Sequence, residues 1–141
     1  MTLIDQLAAE QTWNEFFSYK QQLGHLSQQH EKELQQFIGE KAYLEVLDRI
    51  RAKGFPLPQK RLISKVNSDK KRVVYTYPTD ENYLLKLLTY LLIRRYDRLF
   101  APNLYSFRVR HGVKRAIQFL RGVENLSAKF VYKVDIHDYF N

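Results

Sequence analysis

The 141 residues are enough for one domain or a large part of one, and a composition of 45% hydrophobic and 27% charged residues excludes disorder as the main state. The absence of cysteine excludes disulfide frameworks, zinc–thiolate sites and cysteine nucleophiles. The net charge of +8 is unevenly placed: residues 1–50 hold four Lys/Arg against eight Asp/Glu, and residues 51–141 hold nineteen against seven. A basic segment of that kind faces phosphates, an acidic surface or simply solvent.

The chain opens on Met1-Thr2-Leu3-Ile4-Asp5, without a basic region or a long apolar run, so a secretory signal is not expected. Leu3, Ile4 and Leu7, then Trp13, Phe16 and Phe17, recur at three- and four-residue steps, which predicts helix. Ser27 is placed to cap a second helix with Leu34, Phe37 and Ile38 on its apolar face. Gly39 breaks or bends it before Tyr43, Val46, Leu47 and Ile50 resume the pattern. These elements predict an N-terminal helical segment over residues 1–53. At Gly54-Phe55-Pro56-Leu57-Pro58 a glycine and two prolines stop the helix, and charge and structural type change together. The second region, 54–141, starts here.

A basic hairpin follows. Leu62 to Val66 is one expected strand, Asn67-Ser68-Asp69-Lys70 supplies turn residues, and Arg72 to Tyr77 is the β-branched and aromatic return. Thr79 is expected to cap a long helix running to about Phe100, with Asp80 and Glu81 at the positive end of its dipole. Its two apolar stripes, Leu85, Leu88, Leu92, Tyr96 and Leu99 beside Leu84, Leu87 and Leu91, predict burial on more than one side. Its most apolar stretch, residues 83–93, would span only about 16 Å, too little for a bilayer. No membrane partner is expected, and the expected compartment is cytoplasmic.

Tyr105-Ser106-Phe107 reads as a short extended piece, and a further helix covers about 109–121. Its apolar stripe is Val109, Val113, Ala116, Ile117 and Leu120. A basic stripe of Arg110, Lys114, Gln118 and Arg121 runs beside it, and Gly122 closes it. Lys129 to Ile136 alternates as a strand, with Asp135 near its end and Asp138 just beyond.

A carboxylate at a strand end can hold magnesium, because hard cations take oxygen ligands. Asp135 or Asp138 can equally cap a following helix, and the residues alone leave both readings open. Lys65, Lys70, Lys71 and Arg72 suit a triphosphate, Arg as a planar fork and Lys as a point charge, or form a solvated hairpin. His25 and His30 are five apart and share no helix face, so a zinc site is not expected there.

The order of these elements carries more than any one of them. KVNSDKKRVVYTYPTDENYLLKLLTYLL resembles the first conserved block of bacterial reverse transcriptases, NLYSFRVRHGVKRAIQFL is similar to the second, and FVYKVDIHDYFN resembles the opening of the third. The likeness covers about residues 58–141. It implies an α+β fold: the N-terminal helical segment, then the fingers and first palm strand of an incomplete right-hand polymerase. The implied parent activity is RNA-directed DNA synthesis, in which a primer 3′-hydroxyl attacks a deoxynucleotide on an RNA template with magnesium as cofactor. On that likeness Asp135 matches the catalytic aspartate that binds the metal ions, and Ile136 the neighbour whose backbone lies beside them. Phe140 matches the bulky residue against the nucleotide sugar, disfavouring a 2′-hydroxyl. Lys65 and Arg72 match hairpin contacts to the triphosphate. Arg108 matches the arginine of the second block, near template or nucleotide, and Arg110 and Lys114 on its helix are candidate nucleic-acid contacts.

Two departures stand out. Ser106 replaces the glycine that many group II intron-type members carry before the aromatic-arginine pair. The aromatic-x-Asp-Asp motif does not occur in these 141 residues. Asp135 then lacks its partner carboxylates, and the 141 residues alone are expected not to polymerise and to need the remainder of the polymerase chain. The exposed palm edge is expected to make them adhesive. The competing expectation is a basic nucleic-acid-binding module without catalysis.

Overall fold

A computed structural model describes residues 2–24, 26–64, 71–108 and 111–136. These residues form a mixed α+β structure with six α-helices and one two-stranded antiparallel sheet. They divide into two compact units, Met1–Tyr96 and Asp97–Asn141. The compositional change at Gly54 thus falls inside the first unit.

The first unit begins with α1 (Leu3–Ala8), closed at its start by a reciprocal cap. The Thr2 hydroxyl accepts from the Asp5 amide at 3.2 Å while the Thr2 amide donates to the Asp5 carboxylate at 2.6 Å. These bonds lower the Asp5 pKa, the one from the Thr2 backbone most. The periodicity of residues 3–17 conceals a break: Ala9 is extended, and α2 (Glu10–Leu23) starts anew beyond it. The break leaves late carbonyls of α1 without helical donors, and the Trp13 indole fills one of these gaps by donating to Leu7 O at 2.8 Å.

Gly24, at φ 65°, ends α2 in the left-handed region that glycine enters without strain. Ser27 caps α3 (Gln28–Gly39) as the sequence predicts, its hydroxyl accepting from the His30 amide. Lys41, at φ 54°, turns the chain into α4 (Ala42–Lys53), and Gly54, at φ 77°, ends α4 at the expected boundary.

The sheet pairs β1 (Gln59–Ser64) with β2 (Lys71–Thr76), Leu62 opposite Val73 and Ile63 opposite Arg72. At its base the Phe55 and Tyr77 rings meet edge to face, 5.1 Å apart. The first strand thus starts three residues before Leu62; Val66 lies outside the described residues.

The long helix α5 (Thr79–Tyr96) returns to the N-terminal helices. Thr79 is its first residue rather than its cap, and a tight turn, Asp97–Leu99, follows it before Phe100. Leu7, Trp13, Phe16, Leu34, Phe37, Ile38, Tyr43, Val46, Leu47, Tyr83, Leu84 and Leu87 form one core from all five helices. Trp13 is its centre, fully buried and stacked on Tyr43 at 5.1 Å, with the Phe37 and Phe16 rings edge-on. Of the two apolar stripes of α5, Leu84 and Leu87 are buried; Leu92 and Tyr96 are exposed.

The second unit holds α6 (Val113–Arg121), which starts after Gly112, four residues later than the periodicity predicts, and ends at Gly122 as expected. Val109 and Arg110 lie outside the described residues. Phe107 has φ 59° and is not extended. The alternating run after Lys129 differs most from expectation, since residues 130–136 form no strand. Alternation selects which side chains share a face, but a strand exists only where a neighbour pairs its N–H and C=O groups. No such neighbour stands among the described residues.

Candidate functional site

The exposed sheet of the first unit carries a described basic site residue, Arg72. In an antiparallel pair, directly opposed residues share a face. One face therefore carries Arg61, Ile63, Arg72 and Val74, and the other Lys60, Leu62, Lys71, Val73 and Tyr75. On the first, Arg61 and Arg72 are diagonal neighbours, each beside an aliphatic residue. On the second, Lys60 and Lys71 flank a patch in which Leu62 and Tyr75 are exposed. Cations interleaved with apolar and aromatic side chains suit a nucleic acid, the cations reaching phosphates and the ring offering a base a surface to stack on. The sequence pattern singles out Arg72; Arg61 emerges from the strand register. Lys65 lies outside the described residues.

Arg108 is differently employed. Its Nε donates to Asp97 Oδ1 at 2.8 Å and its Nη2 to Asp97 Oδ2 at 3.0 Å, a fork on a carboxylate. Nη1 donates to Ala101 O and Nη2 to Asp97 O, and the guanidinium lies 5.8 Å from the centre of the Phe100 ring. Its side chain is only 8% exposed. Four hydrogen bonds thus tie Arg108 to the loop that follows α5. The bond from Arg108 is the main cause of a lowered Asp97 pKa, with the charges of Arg108 and His111 adding to it. The sequence pattern has no signal for Asp97, eleven residues upstream, because nothing in spacing marks a pair made by a loop.

Lys114 lies on α6 with Gln118 and Arg121 at one-turn intervals, all exposed. Beside them Val113, Ile117 and Leu120 are exposed as well. Asp135 and Ile136 are exposed in the segment after Lys129. Phe140, Asp138 and Arg110 lie outside the described residues. Among the described residues no three His, Asp or Glu side chains stand together so as to hold a metal ion. Those residues alone therefore do not form a magnesium site around Asp135. Nor is any helix among them long and apolar enough to cross a membrane.

No protein-family model, curated protein or solved structure matches this chain.

Proposed function

We propose that the chain supplies the fingers and the first catalytic aspartate of an RNA-directed DNA polymerase. Its partners in this reading are an RNA template, a DNA primer and a deoxynucleoside triphosphate. What supports the reading is the ordered series of three sequence blocks, the first of which contains the exposed strand with Arg72 beside Arg61. In this reading Arg72, with Lys65, meets the triphosphate, and Lys114, with Arg110, meets the nucleic-acid backbone. Arg108 serves the second block by holding the loop after α5 through Asp97. Asp135 and the Ile136 carbonyl are oxygen ligands for magnesium, and Phe140 screens the sugar. The remaining carboxylates come from outside these 141 residues, so the chain alone binds but does not polymerise.

A second reading, a basic nucleic-acid-binding module without catalysis, is favoured by one observation. The first unit closes its own aromatic core while leaving both faces of the basic sheet exposed.

Fluorescence anisotropy on a primed RNA template tests what the two readings share. Binding should weaken as salt rises, and Lys114→Ala should reduce the slope of log K against log salt by about one. Asp135→Asn should leave binding unchanged. Absence of binding at low salt sinks both readings, and primer extension by the 141 residues alone contradicts the predicted inactivity. Reading the source DNA past codon 141 in three frames separates them: an aromatic-x-Asp-Asp motif supports the polymerase, and its absence leaves the module.

A further inference from the structure

The two faces of the exposed sheet carry different chemistry. Across β1 and β2, Thr76 stands opposite Gln59, Val74 opposite Arg61 and Arg72 opposite Ile63, so one face holds two arginines and no aromatic ring. On the other, Tyr75 stands opposite Lys60 and Lys71 opposite Ser64. That lysine face suits a strand of nucleic acid, whose bases stack on the exposed ring and whose phosphates meet point charges. The arginine face offers a base no ring to stack on, and its cations suit a different anion.

Arg61 and Arg72 are both exposed. Diagonal neighbours on adjacent strands lie about 7–8 Å apart, within reach of long side chains. Neither strand contains an acidic residue, and neither arginine has an ion pair among the described residues. Arg108, by contrast, directs its donors into the protein. Two like charges held this near each other repel, and no carboxylate of the sheet offsets them. An anion that spans both does.

The spacing selects an anion of more than one group. A carboxylate or a single phosphate occupies one guanidinium fork, whereas a chain of phosphates gives each fork a group of its own. We propose that Arg61 and Arg72 together clamp a polyphosphate, Arg61 being a second grip on the triphosphate of the incoming deoxynucleotide. The clamp stands on the strand register; only the identity of its ligand rests on the polymerase reading above.

Calorimetric titration of the full 141-residue chain with inorganic tripolyphosphate, dATP and inorganic phosphate, at fixed ionic strength, tests it. Saturable binding of tripolyphosphate and dATP is expected, about 10-fold tighter than inorganic phosphate. Arg61→Gln should weaken tripolyphosphate about 10-fold, and Arg61→Lys, which keeps the charge but loses the fork, nearly as much. Lys60→Gln, the same loss of charge on the opposite face, should change it less than about 2-fold. Both positions are exposed, so Tm should hold in every variant. Equal affinity for tripolyphosphate and dATP supports a clamp on phosphates alone, and tighter dATP supports one that takes a nucleotide. This pattern in a chain that binds no primed template supports the clamp while sinking the polymerase reading. Template binding, with tripolyphosphate equally sensitive to Arg61→Gln and Lys60→Gln, overturns the clamp and leaves that reading standing. Loss of oligonucleotide rather than tripolyphosphate affinity in Arg61→Gln, or no saturation at about 10 mM tripolyphosphate, overturns it as well.

Discussion

The two compact units draw on similar side chains and use them differently. In the first, Trp13, Phe16, Tyr43 and Leu87 are almost wholly withdrawn from solvent. In the second, no described residue is fully buried, and Phe107 and Phe130 are 97% and 91% exposed. Five helices can surround a tryptophan; one nine-residue helix cannot surround anything. A short amphipathic helix depends on packing for its stability, and apolar periodicity specifies a face without supplying what covers it. The second unit is organised instead by a polar device, the Arg108 fork on Asp97 and Ala101.

The largest test of this contrast is a pair of truncations read by urea unfolding. Trp13→Ala should cost about 4 kcal/mol, as loss of a large ring from a packed core does, while Ile117→Ala, half-exposed on α6, should cost below about 1 kcal/mol. Equal losses would show that the second unit has a core as well. Next in size is the ion pair between α4 and α5. Arg49 Nη2 donates at 2.7 Å to Glu81, a buried carboxylate. Arg49→Ala should cost about 2 kcal/mol by leaving that charge without its partner; an unchanged unfolding midpoint would show that water compensates Glu81.

A smaller effect of opposite sign belongs to Tyr83. Its hydroxyl is buried without a hydrogen-bond partner among the described residues, so Tyr83→Phe should raise stability by about 1 kcal/mol, measured by the same urea titration. A loss instead would mean that the hydroxyl already has a partner in solution. The most local effect is acid sensitivity of the second unit. Because the Arg108 bond holds the Asp97 pKa below the usual 3.8, the pair stabilises the unit fully above that value. The stabilisation is lost as pH falls through the lowered pKa. Hydrogen exchange of the Arg108 and Ala101 region should therefore quicken at the acid end while that around Trp13 does not. Asp97→Asn should bring the faster exchange to neutral pH.

The sequence by itself determined much of the local structure of the first unit, where the information is local. Ser27 caps from its own position, Gly54 ends a helix through its own φ, and the apolar spacing of residues 34–50 and 84–87 marks faces that meet in the core. It also marked the strand of Arg72 as basic and β-branched. Only the tertiary structure decided what depends on a partner distant in sequence. Register alone sets Arg61 beside Arg72. Arg108 turns inward because Asp97 waits for it. Residues 130–136 alternate as a strand should, yet form none among the described residues, since alternation is written in one segment and pairing requires two.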